Sequence, residues 1–130
     1  MQQQQKISAL SFGQFAIGTN NAESTLVISK RGGTTLATYR IYPLAHGQPG
    51  HYLLTAYLAF TPLIITIPPF DITRSGSQAL RIENFDFDPV ITDGSGAALL
   101  IVGATLKTNG AGGTYGDGNY TGVMNITINW

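Results

Sequence analysis

Two histidines, His46 and His51, stand either side of a Gly-Gln-Pro-Gly turn. A pair of imidazoles is a start toward a zinc site, but such a site wants three or four ligands. The chain has no cysteine and no Asp or Glu between Glu23 and Asp71, so the pair reads as two loop histidines. Asp86 and Asp88 flank Phe87 in NFDFDP, and Asp93 opens DGSG. Strand spacing puts Asp86 and Asp88 on one side, as a carboxylate pair or weak calcium site would need. Edge-protecting and turn-forming aspartates look the same in sequence and are commoner. The glycine-rich GAGGTYG at 110–116 lacks the Lys-Ser/Thr ending of a phosphate loop and leads into a strand, with no helix N-terminus to face a phosphate. No Gly-x-Ser-x-Gly elbow is present. The sequons at Asn119 and Asn125 fall in the last segment, where short matches arise by chance. These residues predict a protein that is not an enzyme, with no catalytic, cofactor or metal set.

Composition points the same way. Charged residues make up 11% of the 130 residues and the formal net charge is zero, against about 25% charged in a typical soluble domain. Seven Lys and Arg, scattered singly, make no basic stripe, so no nucleic-acid partner is expected. The absence of cysteine excludes a disulfide framework. No apolar run approaches a membrane span, and Met1 is followed by QQQQK with no signal-like stretch. A surface this poor in charge resists association weakly.

The elements that must carry these residues read as strand after strand. STLVIS alternates with Leu26 and Ile28 on one side; TTLATYRIYP is rich in β-branched and aromatic residues; HGQPG is a turn. HYLLTAYLAF at 51–60 fits a helical stripe and a strand face alike, and the turn spacing around it favours a strand. LIITIPP is a buried strand stopped by prolines. In QALRIENFDF, Leu80 and Ile82 point inward until the phase breaks near Asn84, which predicts a bulge. ALLIVGATL reads as a strand buried on both faces, and NGAGGTYGDG as a long loop. In the last segment Tyr120, Gly122, Met124, Ile126, Ile128 and Trp130 alternate with Thr, Asn and Val. That is a strand with one buried face. Seven or eight short strands with turns every 8–12 residues predict an all-β, antiparallel sandwich.

LSFGQF at 10–15 followed by STLVIS, then QALRIENFDFDP, IVGATL and GNYTGVMNITINW, resemble in order and spacing a family of small bacterial Ig-like surface domains of unknown function. That family is similar to spore coat protein U and to the pilin subunits of chaperone–usher systems. The resemblance covers most of residues 10–130 and implies an immunoglobulin-like, Greek-key sandwich, with residues 1–9 as an N-terminal extension. It also implies export through the periplasm to the bacterial surface, with any signal peptide lying outside this chain. Pilins of this type lack one strand. A periplasmic chaperone holds the last strand and its end, then the N-terminal extension of another copy or related subunit replaces it by strand addition.

On that reading Tyr120, Gly122, Met124, Ile126, Ile128 and Trp130 form the acceptor and chaperone-facing strand, and Ile7, Ala9, Leu10 and Phe12 are the donor candidates. The sequence departs from the family in having only MQQQQKISA before Leu10. The other readings are a self-complete secreted Ig-like domain and a carbohydrate-binding module stacking sugars on Tyr39, Tyr42, Tyr52 and Tyr57. Those tyrosines lie among Leu and Ile, which suits a core.

Overall fold

A computed structural model describes residues 3–18, 21–31, 36–37, 41–45, 47–74, 78–113, 115, 120, 122 and 124–130. They form twelve strands: β1 (Gln3–Ser8), β2 (Gln14–Ile17), β3 (Thr25–Ile28), β4 (Leu36–Ala37), β5 (Ile41–Ala45), β6 (Gly50–Thr55), β7 (Pro62–Thr66), β8 (Phe70–Ile72), β9 (Leu80–Asp86), β10 (Val90–Ile91), β11 (Ala98–Lys107) and β12 (Thr127–Asn129). All their pairings are antiparallel, and the protein is an all-β sandwich. The strands outnumber the seven or eight expected because β8 and β10 are short strands outside the segments read, and TTLATYRIYP contributes to both β4 and β5. Register shifts interrupt β1, β2 and the β9–β11 ladder, and Pro68 and Pro69 separate β7 from β8.

β11 is the central strand. Its first half, Ala98–Val102, pairs with β6, whose far edge carries β1. Its second half lies against both β3 and β9, which β4 and β8 extend. A second sheet runs β10-β7-β12, and β2 pairs with β5. Strand period sends Leu100, Val102, Ala104 and Leu106 into the core, where all four are buried. The two-sided burial expected of this run does not hold, because Leu99 on the outer face is 51% exposed. β7 likewise buries Leu63 but leaves Ile64 exposed.

Two apolar clusters fill the interior. One gathers Leu26, Ile41, Leu80, Ile82, Ala104 and Leu106; the other gathers Tyr52, Leu54, Leu63, Val90, Leu100 and Val102. Phe85 packs against both. Its placement follows from the bulge: Asn84 takes φ 54°, a left-handed conformation that Asn tolerates, and the β9–β11 register shifts there.

The stretch 51–60 is a strand only to Thr55. Ala56 turns left-handed at φ 65°, and a tied loop follows. The Thr61 N–H donates to Thr92 Oγ1 at 2.8 Å, and the same hydroxyl donates to the Leu58 carbonyl at 2.6 Å. Thr92 is buried, but Thr61 is half-buried and Leu58 exposed, so water can replace part of what the hydroxyl supplies. Thr92→Val, nearly the same shape, should therefore cost ~1–2 kcal/mol. Scanning calorimetry should show Tm lowered by roughly 5–10 °C.

Candidate functional site

β12 is paired on one side. Thr127, Ile128 and Asn129 stand opposite Thr66, Ile65 and Ile64 of β7. Among the described residues no strand lies on the other edge of β12. The chain reaches it along β8, where Gly122 packs so close that a Cβ would stand 2.5 Å from the Asp71 carbonyl oxygen. Only 127–129 make ladder bonds, yet the alternation holds over 124–129 and ends there. Met124, Ile126 and Ile128 are half-buried on the second cluster, while Asn125, Thr127 and Asn129 are exposed. Tyr120 packs on the first cluster. Trp130 is 59% exposed and meets Tyr57 edge-on, ring centroids 5.4 Å apart. Of the six residues expected to form one inward-facing strand, Tyr120, Met124, Ile126 and Ile128 pack on the clusters, Gly122 and Trp130 are exposed, and only Ile128 lies within β12.

The N-terminal candidates part company. Ile7 lies in β1 and is 59% exposed, and Gln5 and Lys6 beside it are exposed too. β1 is therefore held on β6 by backbone pairing, with little apolar burial. Ala9 is exposed, whereas Leu10 and Phe12 pack against the first cluster of their own chain. The two edges also differ in chemistry. β1 carries Lys6, a charge of the kind that blunts strand pairing, whereas residues 118–130 carry no charge at all.

The aspartates have structural partners. Lys30 Nζ lies 2.6 Å from Asp88 Oδ1 and 3.6 Å from Asp86 Oδ1, and the Lys30 N–H donates to Asp86 Oδ2 at 3.1 Å. Asp93 Oδ1 accepts from the Ser95 hydroxyl and from the Ser95 and Ala97 N–H groups, closing its turn. His51 is half-buried on β6; His46 and Tyr39 lie outside the described residues. Among the described residues no three His, Cys, Asp or Glu side chains gather as a metal site. Of the tyrosines, Tyr52 is buried in the core, Tyr57 is half-buried against Trp130, and Tyr42 is exposed on β5. They form no common stacking surface. Among the described residues no helix is long and apolar enough to cross a membrane.

The hydrogen bond from Lys30 holds the Asp88 carboxyl below its ordinary value, and the Ser95 hydroxyl with two backbone N–H groups does the same for Asp93. A depressed carboxylate adds stability above its unfolded value, near 3.8, and loses it as pH falls through the folded value below that. Urea midpoints should therefore drop below about pH 4, and Asp88→Asn should flatten that drop. Both groups are exposed, so added salt should shrink the effect.

The class this fold defines is an all-β antiparallel sandwich. The family described as a domain of unknown function (DUF4402) matches residues 2–130, and the chain belongs to it. Searches of curated proteins and of solved structures returned no match.

Proposed function

We propose that the chain is a non-enzymatic, exported structural subunit of a bacterial surface assembly, an immunoglobulin-like pilin-type sandwich joined to its neighbours by strand addition. The observation that carries this reading is β12, uncharged, paired only with β7 among the described residues, with Ile128 half-buried against the second cluster. An added strand would extend the β10-β7-β12 sheet, the β-augmentation mode of recognition. Its partner is the N-terminal segment of another copy or of a related subunit, and a periplasmic chaperone guards the edge beforehand.

Magnitudes set what such an assembly looks like. The one large apolar side chain of Gln3–Ser8 is Ile7, worth ~1.5–3 kcal/mol when buried. A donor of that kind gives multimers that dissociate on dilution. A donor with four such side chains would supply ~6–12 kcal/mol and give multimers that survive unheated detergent. The second reading, a self-complete surface domain, is favoured by the pairing of β1 with β6 of its own chain.

Light scattering over a range of concentrations, beside an unheated detergent gel, separates the two. Concentration-dependent or heat-labile multimers, lost on Thr127→Lys, support strand addition, because a lysine there charges the open edge. A monomer at every concentration supports the finished domain.

A further inference from the structure

The outer face carries an open cleft of about 480 Å³, lined by Lys30, Arg31, Gln48, Pro49, His51, Asp88 and Ile101. It opens where β11 exchanges partners, between Val102, which faces Gly50 of β6, and Ala104, which faces Ile28 of β3. Its volume falls within the range that small-molecule sites occupy. Several walls are held before any ligand arrives. Lys30 is fixed through its N–H and its ammonium to Asp86 and Asp88. The Gln48 side-chain amide donates to the Ala9 carbonyl at 3.0 Å. Pro49 is buried and Ile101 half-buried, giving a short apolar floor beside these polar groups.

The charges are unevenly matched. Asp88 is engaged by Lys30 at 2.6 Å, and Asp86 also points at Lys30. Among the described residues no carboxylate lies within ion-pair distance of the Arg31 guanidinium. Lys30 thus holds both Asp86 and Asp88, while Arg31, the other cation of the cleft, acts on Asp88 only from beyond ion-pair distance. A multivalent anion would meet Asp88 on the same wall and be repelled, whereas a single carboxylate would give the Arg31 guanidinium the direct contact that Asp88 does not.

We propose that this cleft binds a carboxylate-bearing pyranose, a uronic acid unit. Arg31 takes the carboxylate in the bidentate geometry that guanidinium favours. Asp88, Gln48 and His51 meet the ring hydroxyls, and the C–H face of the ring lies over Pro49 and Ile101. The site needs no second copy of the chain and stands apart from the assembly reading.

The test is an amide-resolved NMR titration of the whole chain with glucuronate, glucose and acetate in parallel. Glucuronate should give saturable shifts at Arg31, His51 and Ile101. Glucose and acetate should bind at least tenfold more weakly, and Arg31→Gln should weaken glucuronate at least tenfold while leaving the remaining spectrum folded. The proposal is overturned by any of three results: no saturable shifts with glucuronate, acetate or glucose binding as tightly, or Arg31→Gln binding as before.

Discussion

Ile126→Asp should lower the melting temperature by about 10 °C and abolish any multimer, while Asn125→Asp one residue away should shift it by only about 2 °C. Ile126 packs on the cluster built around Leu54 and Leu100, and Asn125 faces out. Half-burying an isoleucine contributes part of the ~1.5–3 kcal/mol of full burial, and a carboxylate set against the same apolar neighbours costs more. The sum is roughly 2–4 kcal/mol, a large share of a typical domain's stability. Calorimetry reads the first effect and light scattering the second. Thr127→Lys separates them: it should keep the melting temperature and lose the multimer. If Ile126→Asp leaves both melting and association intact, the inward row of the last segment has been assigned the wrong role.

Gly103→Ala should cost about 3 kcal/mol, more than the same change at Gly112. A Cβ at 103 would overlap the Ile28 carbonyl oxygen and stand 2.6 Å from the Lys30 nitrogen, both of them backbone atoms with little room to yield. At Gly112 nothing lies within 4 Å, and the cost is only the left-handed conformation at φ 83°, roughly 1–2 kcal/mol. The crossing over Gly103 also places the Lys30 N–H on Asp86, so the alanine variant should lose that contact too. Urea denaturation of the two variants decides the matter. A Gly112 variant that is the less stable would mean that close approach is not what position 103 demands.

Much of the β architecture can be read from short-range pattern. Leu26 and Ile28, and Leu80 and Ile82, alternate in the sequence and are buried in the structure, because the strand period is local. The bulge at Asn84 is announced by the phase break before Phe85. Where the reading failed, the deciding facts were not local. β6 ends at Thr55 because Ala56 turns left-handed, and alanine gives no warning of that. The apolar run of β11 looked two-sided because sequence cannot tell which neighbour covers Leu99. Of the candidate assembly strand, the inward facing of Met124, Ile126 and Ile128 was legible but that of Trp130 was not, and the pairing with β7 joins residues some sixty positions apart. The cleft had no signal at all, since Lys30, Gln48, Asp88 and Ile101 meet only through tertiary structure.

The position of β11 has a consequence for how the chain comes to be folded. Its partners were all made earlier: Leu106 faces Leu26 and Ile82, and Leu100 faces Tyr52. Both apolar clusters include β11 side chains, so neither can close until residues 98–107 are present. Synthesis from the N-terminal side would therefore expose β1 to β10 before either apolar cluster could close. Contacts so distant in sequence also make for slow closure. A truncation ending before Ala98 should show no cooperative unfolding, and the nascent chain should stay pliable, open to chaperone capture, until its eleventh strand arrives.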